Sequence, residues 1–384
     1  MSDAYIFEAT RSAVGRRGGA LADTRPDDLA ASTLASMVER ADIDPGEVED
    51  IIMGCVTQTD EQGMNIGRTA PLIAGFPITT TGTTVNRMCG SSLQTVNFAA
   101  QAVMSGVHDL VVGAGVESMT RVEMGSDVAP LSDQLTDRFD IVNQGISAEL
   151  IAQKWGHSRK ELEELAVESH RRAIQAIEEK RFQREIAPVE VTNEDGDAVA
   201  FHVDEGPRPG TSLEKVAKLK PAFKDDGVIT AATSSQISDG ASAVLIGSQA
   251  KGEALGLEPR ARFKAMAVAG VDPTIMLTGP IPATQKVLQK AGMSLSDIDL
   301  FEVNEAFASV VMAWADDMDE DRDAILQRTN VNGGAMGLGH PLGATGAKLL
   351  TTALHELERR DQNVALVTLC IGFGQAVATI IERV

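Results

Sequence analysis

The chain passes twice through the same order of segments, and that repeat limits the folds open to it more than any other feature. In the first half, residues 5–10 are strand-like and 27–40 helical, and Ile43-Asp44-Pro45-Gly46-Glu47-Val48-Glu49-Asp50-Ile51-Ile52-Met53-Gly54 follows. In the second half, residues 262–269 are strand-like and 282–290 helical, and Met293-Ser294-Leu295-Ser296-Asp297-Ile298-Asp299-Leu300-Phe301-Glu302-Val303-Asn304 follows. Thr84-Val85-Asn86 leads to Cys89 and a helix, as Asn330-Val331-Asn332 leads to His340 and a helix. Residues 109–114 and 364–372 are apolar strands running into glycine, and 241–247 resembles 376–381. Each copy reads β-α-β-α-β. That order implies an α/β protein whose sheets are covered by helices. Two similar halves that each supply a reactive side chain place a site at their junction.

Between the copies lies an extra region, residues 118–239. It contains a charged helix over 159–179, read as a solvated face, and an irregular acidic stretch over 191–205. The rest is expected to form a lid or ligand wall. Gly113-Ala114-Gly115-Val116-Glu117-Ser118 resembles a fragment of a dinucleotide loop. It lacks the downstream glycine pattern and the acidic ribose partner, which excludes a nicotinamide site.

The run Val85-Asn86-Arg87-Met88-Cys89-Gly90-Ser91-Ser92-Leu93-Gln94 carries the clearest chemistry. A cysteine follows a strand-like segment and opens a long helix. Unpaired N–H groups and the positive end of the helix dipole face a thiol placed there. That setting is expected to lower its pKa and favour the nucleophilic thiolate. The competing reading is a small buried hydrophobe. Two further segments favour reactivity. Gly337-Leu338-Gly339-His340-Pro341-Leu342-Gly343 sets an imidazole among glycines, where a ligand can approach the backbone. Cys370-Ile371-Gly372-Phe373-Gly374-Gln375 ends an apolar strand with a second thiol and free glycine N–H groups.

Charge and cysteine usage narrow the partners. The net charge is −21, from 55 acidic and 34 basic residues, so a broad basic surface for nucleic acid is excluded. Lysine is absent before Lys154. Three widely separated cysteines make no disulfide framework, and a reduced cytoplasm is the simpler setting. The first residues, Met1-Ser2-Asp3-Ala4-Tyr5, lack the features of a leader. Residues 88–107 carry no charge, but Ser91, Ser92, Gln94, Asn97 and Gln101 point several ways around a helix. Such a helix is expected to be buried in protein with its polar groups paired, with no membrane insertion.

Taken together, Asn86-Arg87-Met88-Cys89-Gly90-Ser91-Ser92, Asn304-Glu305-Ala306-Phe307, Gly339-His340-Pro341-Leu342-Gly343 and Cys370-Ile371-Gly372 resemble the four signature motifs of the thiolase family, in family order. The resemblance covers essentially the whole chain. It implies two similar α/β core domains whose sheets sandwich buried helices, with a loop domain inserted in the first. The expected boundaries are 1–118 with 240–250 for the N-terminal core, 119–239 for the loop domain and 251–384 for the C-terminal core. It also implies a homodimer or homotetramer, compatible with an accessory subunit.

By resemblance, Cys89 is the nucleophile that becomes acylated, and His340 accepts its proton. Cys370 moves a proton at the acyl α-carbon. Asn304 holds a water that, with His340, binds the thioester oxyanion. The N–H groups of Cys89 and Gly372 form a second oxyanion hole, and Glu305 sets the hydrogen-bond network around Asn304. The implied activity is cleavage of a 3-ketoacyl-CoA by coenzyme A, a co-substrate, with no metal and no resident cofactor. Ser235 matches a serine at the pantetheine arm, Phe223 a residue beside the adenine, and Arg208 a basic residue near the nucleotide. Lys215, Lys218, Lys220 and Lys224 cluster with Arg208. Gln144 stands where many members carry a methionine lining the acyl pocket, and Phe307 completes the substrate-binding set. Gly372-Phe373-Gly374-Gln375 resembles degradative members more than biosynthetic ones, which run the Claisen condensation.

Four alternatives are weaker. Ketoacyl synthases lack a second catalytic cysteine, and sterol-carrier-type relatives replace the Asn-Glu-Ala-Phe run. A zinc site from Cys55, Cys89, Cys370 and His340 has no ligand-like spacing, and Cys55 reads as a core strand residue. A non-catalytic acyl-CoA-binding protein predicts damaged motifs, and these are intact.

An acidic, lysine-poor surface suits high salt, where screening removes self-repulsion. The expected outcome is loss of circular dichroism signal at low salt, restored by molar KCl. Full stability in dilute buffer overturns that expectation.

Overall fold

The computed structural model describes residues 3–193 and 195–384. Met1 and Ser2 of the N-terminal reading, and Glu194 of the acidic stretch, lie outside the described residues. The first copy comprises β1 (Tyr5–Ser12), α1 (Pro26–Ala41), β2 (Asp50–Gly54), β3 (Thr81–Val85), α2 (Ser91–Ser105) and β4 (Leu110–Ser118). The extra region adds α3 (Gln144–Trp155) and α4 (Arg159–Glu178), after which β5 (Ser238–Gly247) returns to the first copy. The second copy comprises β6 (Ala261–Gly270), α5 (Pro280–Ala291), β7 (Leu300–Val303), α6 (Ala308–Asp316), α7 (Thr345–Arg360), β8 (Val364–Ile371) and β9 (Gln375–Arg383).

Strand pairing repeats between the copies. In the first, β2 runs parallel to β4, β4 antiparallel to β5, and β5 antiparallel to β1. In the second, β7 runs parallel to β8, β8 antiparallel to β9, and β9 antiparallel to β6. The sheets meet where β1 and β6 pair antiparallel, Tyr5 opposite Arg262 and Ile6 opposite Ala261. The strand order is β7-β8-β9-β6-β1-β5-β4-β2-β3, with β3 on an edge.

Strand periodicity builds the layers. Leu110, Val112, Ala114 and Val116 of β4 share a cluster with Leu29, Leu34 and Met37 of α1. Val111 points the other way, into a central cluster with Leu93 and Val96 of α2, Leu350 and Leu354 of α7, and Val367 and Leu369 of β8. Leu366 of β8 faces α5 with Val287. The chain is thus a stack of helix, sheet, paired helices, sheet and helix, with α2 and α7 in the middle.

That position explains the uncharged 88–107 run, because α2 has sheet on both sides. Its polar groups are largely paired. Thr95 Oγ1 donates to the Ala114 carbonyl at 2.8 Å, and Asn97 Oδ1 accepts from Thr379 Oγ1 at 2.7 Å. Ser92 Oγ accepts from the Ala347 N–H at 3.0 Å, joining α2 to α7. No helix among the described residues is long and apolar enough to cross a membrane.

The acidic stretch departs from its sequence reading. It includes an antiparallel hairpin, Val189–Thr192 with Ala198–Phe201. Asp204 then turns inward, where its two oxygens take Arg11 at 2.7 and 3.0 Å, and Arg11 also meets Glu185 at 2.6 Å. All three are buried. A buried carboxylate needs such a partner, and this one lies on β1, far away in the chain.

The two central helices touch at a glycine. A Cβ added to Gly346 would lie 2.3 Å from the Leu93 backbone nitrogen. Gly346→Ala is therefore expected to lower stability by about 1–3 kcal/mol through overpacking, read as a fall in denaturant midpoint. An unchanged midpoint refutes this account of the crossing.

Candidate active site

Cys89, Asn304 and Cys370 sit at or beyond the carboxyl ends of parallel strands, and His340 sits in the loop before α7. The turn after β3 is held by its own side chains. Asn86 Oδ1 accepts from the Met88 N–H at 2.8 Å, and Ser91 Oγ accepts from the Arg87 N–H at 2.9 Å while donating to the Met88 carbonyl at 2.6 Å. Met88 adopts φ +45°, a left-handed conformation unfavourable to a side chain. Cys89 follows, one residue before Gly90, the N-cap of α2.

The second copy closes on this turn. Arg87 Nη1 donates to Gln375 Oε1 at 3.0 Å. A Cβ on Gly90 would lie 2.5 Å from Ile371 Cδ1. The Gly372 N–H faces the Cys89 sulfur, as does the N–H of Cys89 itself. Cys370, at the end of β8, is near enough that charge on Cys89 opposes its ionisation. Asn304 follows β7 directly, and its N–H donates to the Thr368 carbonyl at 3.0 Å, fixing it beside the Cys370 strand.

His340 is buried and held from both sides. Nδ1 lies 2.6 Å from Thr345 Oγ1, and Nε2 lies 3.3 Å from Asn304 Nδ2. Thr345 spends its only hydroxyl proton on the Pro341 carbonyl, at 2.8 Å. It must therefore accept from Nδ1–H, leaving Nε2 with its lone pair, to which Asn304 donates. The imidazole is poised as a base at Nε2. Asn304 Oδ1 is buried beside it with no hydrogen-bond partner among the described residues.

Burial corrects the expected thiolate. Desolvation pushes the Cys89 thiol up to about 12, against the pull of the Cys89 and Gly372 N–H groups, and nearby Glu117 adds to the rise. The helix terminus loses because Cys89 is only 6% exposed and precedes the cap. Cys370 rises too, first through burial and then through Cys89. His340 falls to about 3, through burial and then the Lys348 charge. The resting site pairs neutral thiols with a neutral imidazole.

Glu305 braces a loop. Its carboxylate accepts from Ser169 Oγ at 2.6 Å, Asn330 Nδ2 at 3.1 Å and the Met336 N–H at 3.1 Å. Ser169 Oγ accepts in turn from the Gly334 and Gly337 N–H groups, each at 3.1 Å. These bonds reach the 330–337 loop that leads to His340; none goes to the Asn304 amide.

Four of the outer residues gather on one side. A Cβ on Gly372 would meet Met88 Sδ at 2.8 Å and Gln144 Nε2 at 3.0 Å. Phe223 lies against Gly145 and meets Phe307 edge to face, ring centroids 5.8 Å apart. The Ser235 N–H donates to the Ala306 carbonyl at 2.9 Å. Arg208 stands apart, exposed, in a groove of about 450 Å³ with His170, Arg171 and Thr211. The same segment touches the site loop, since the Gly206 carbonyl accepts from Gln236 Nε2 at 3.0 Å. Lys215, Lys218 and Lys224 bond to Gly210, Glu214 and Asp226 nearby. Cys55 is buried at the end of β2, as its sequence context implied.

Sequence reasoning missed Thr345, Ser169 and Glu117. Glu117 is the only charge in β4, which is a signal in itself: a carboxylate in an apolar strand needs partners. It has them in the N–H groups of Val56, Thr57 and Gly343, at 2.9, 3.0 and 2.9 Å, and in Gln62 Nε2 at 2.9 Å.

Comparison with known proteins agrees with this architecture. Residues 4–250 match the family described as thiolase, N-terminal domain, and residues 257–383 match thiolase, C-terminal domain. The chain belongs to the thiolase family. It is 47% identical over 396 residues to the steroid 3-ketoacyl-CoA thiolase FadA6 of Mycobacterium tuberculosis, covering 100% of this chain and 95% of that one. It is 45% identical over 388 residues to a 3-ketoacyl-CoA thiolase of Psychrobacter cryohalolentis, covering 100% and 98%. Among solved structures, the acetyl-CoA acetyltransferase of Bacillus anthracis superposes with a TM-score of 0.91 at 38% identity, covering 100% of this thiolase and 99% of that chain.

In this thiolase the Thr345 hydroxyl fixes the His340 tautomer. Thr345→Val removes the acceptor for Nδ1–H, so the proton is free to move to Nε2. Turnover is expected to fall about 10–100-fold, part of what a general base contributes, with KM little changed. Steady-state kinetics checks this, and wild-type turnover in T345V removes the tautomer constraint.

Proposed function

We propose that this thiolase cleaves 3-ketoacyl-CoA with coenzyme A, giving acetyl-CoA or propionyl-CoA and a shortened acyl-CoA through an acyl-Cys89 intermediate. One observation carries the reading: two backbone N–H groups, of Cys89 and Gly372, converge on the Cys89 sulfur with Cys370 alongside. Acyl transfer from carbon needs this equipment, namely a soft nucleophile, oxyanion donors and a proton source for the leaving enolate.

Cys89 Sγ attacks the 3-keto carbon while His340 Nε2 takes its proton. The bond between C2 and C3 breaks, and Cys370 protonates the departing enolate carbon. Incoming coenzyme A gives its thiol proton to Cys370, attacks the acyl carbon and displaces Cys89, which recovers its proton from His340. The N–H groups of Cys89 and Gly372 stabilise one oxyanion. His340 and a water held by Asn304 stabilise the other, a role that the unpartnered Asn304 Oδ1 supports. A single oxyanion donor contributes about 3–4 kcal/mol in well-studied sites. This chemistry requires no metal and no resident cofactor.

Ser235, Phe223 and Phe307 serve as the pantetheine and adenine wall, Gln144 borders the acyl group, and Arg208 meets the nucleotide from its groove. In this reading residues 119–239 are the substrate-facing loop domain, between core domains 1–118 with 240–250 and 251–384. The enzyme works in the cytoplasm as a homodimer or homotetramer, to which the open edge of β3 is suited. The degradative direction is favoured over synthesis by the Gly-Phe-Gly-Gln run and by relatives named 3-ketoacyl-CoA thiolase.

Coenzyme A-dependent loss of 3-ketoacyl-CoA absorbance tests the proposal. It is expected in the wild type for at least one of several chain lengths, branched and steroid substrates included, and to vanish in Cys89→Ser. Cys370→Ala is expected to acylate Cys89 while turnover collapses. Sustained turnover in C89S defeats the reading.

A further inference from the structure

Gly372 has an open side. A Cβ placed there would meet Met88 Sδ at 2.8 Å and Gln144 Nε2 at 3.0 Å, and apart from the chain neighbours no other described atom lies within 4 Å of that point. The glycine thus leaves a space between the oxyanion donor and α3. The Gly372 nitrogen is two bonds from that Cβ, so the Gln144 amide lies within about 6 Å of the donor. An acyl group on Cys89 with its oxygen on the Gly372 N–H has its first carbons within reach of this amide.

The walls of the space are fixed. Ile371 pairs with Gln375 across the turn that carries Gly372, and the Val271 N–H donates to the Gly374 carbonyl at 2.8 Å. Met88 and Phe373 hold φ +45° and +60°, left-handed conformations that side chains disfavour, and such strain collects at functional sites. On α3, Asn143 Oδ1 accepts from the Gly145 N–H at 2.8 Å and so secures the turn that carries Gln144. Ala148, four residues on, shares a cluster with Cys370, Phe307 and Met336. Helix α3 therefore packs toward the strand that ends in the second thiol.

The amide is left free by the protein. Gln144 is half-buried, and its side chain makes no hydrogen bond to another described residue. Gln236, by contrast, is fully engaged, its Nε2 donating to the carbonyls of Gly206, Met336 and Gly337 at 3.0, 2.7 and 3.0 Å. Ser147, three residues after Gln144 and on the same side of the helix, is buried with its hydroxyl unpartnered as well.

We propose that Gln144 is a specificity-determining residue that selects 3-ketoacyl-CoA molecules carrying a neutral oxygen, as hydroxyl, ether or ketone, close beyond the 3-keto group. The inference rests on the proposed function and names its substrate class. An acyl chain that fills the space strips water from the amide. A hydrocarbon chain then leaves the donor unpaired, whereas an oxygen in the same place takes its hydrogen bond. A neutral amide suits a neutral oxygen. A carboxylate calls for a guanidinium, and that of Arg87 is bonded to Gln375.

The test uses two matched pairs in which oxygen replaces one chain methylene: 4-methoxy-3-oxobutanoyl-CoA against 3-oxohexanoyl-CoA, and 6-methoxy-3-oxohexanoyl-CoA against 3-oxooctanoyl-CoA. The ratio of kcat/KM, oxygenated over hydrocarbon, is measured in wild type, Gln144→Met and Gln144→Glu. Comparing ratios cancels the intrinsic effect of the oxygen on the ketone. Methionine removes the donor, and an ionised glutamate keeps the outline of the side chain but only accepts. In both variants the ratio is expected to fall about tenfold for at least one pair. An unchanged ratio in Q144M for both pairs overturns the inference and leaves the thiolase reading intact. A ratio lost in Q144M but kept in Q144E assigns the preference to shape and overturns it too. Absence of turnover with every 3-ketoacyl-CoA in the wild type overturns the proposed function, and the inference falls with it.

Discussion

The crossing of two buried helices is the constraint on which the rest depends. Helix α2 begins two residues after Cys89, and α7 begins five residues after His340. Their contact, Gly346 against Leu93 and the Ala347 N–H on Ser92 Oγ, falls in the first turn of each. Packing the starts of the helices together therefore packs what precedes them together as well. A duplicated chain could have kept its two reactive ends on opposite faces of a sheet. Here the two sheets clasp both helices, and the reactive ends face one another.

The clasp has an electrostatic consequence. Enclosing the site between sheets removes water from Cys89, Cys370 and His340, and each shifts toward its neutral form. The dipole of α2 is too weak to reverse this for a residue outside its first turn. In the proposed mechanism, ionisation of Cys89 is then tied to attack on a carbonyl, when the developing oxyanion meets donors already in place. Preorganised donors in a dry site act more strongly than they would in water. On that mechanism, burial withholds the nucleophile at rest and strengthens the oxyanion hole during reaction.

Two buried carboxylates hold the loops that carry this machinery. Glu305 with Ser169 ties the 330–337 loop to α4, so the inserted region supports the second copy's reactive loop. Glu117 ties residues 56–57 to Gly343. Each is satisfied by several donors, the condition under which a buried anion is tolerated. Each bridges segments far apart in the chain.

The repeat, the strands flanking Cys89 and Cys370, the buried character of α2 and the α/β class were legible in the sequence, because they depend on local periodicity and on glycines at tight positions. The four motifs were legible because Cys89, Asn304, His340 and Cys370 stand in short, distinctive settings. Pairing across the chain was not legible. The acidic stretch 191–205 read as irregular, yet it holds the hairpin of Val189–Thr192 with Ala198–Phe201 and turns Asp204 in to Arg11, and the bonds of Glu305 to Ser169, Asn330 and Met336 had no local signal. Local order and the inventory of reactive groups belong to the sequence by itself. Protonation state, tautomer and mutual support were decided only by the tertiary structure, because each depends on which distant groups replace the water that folding removes.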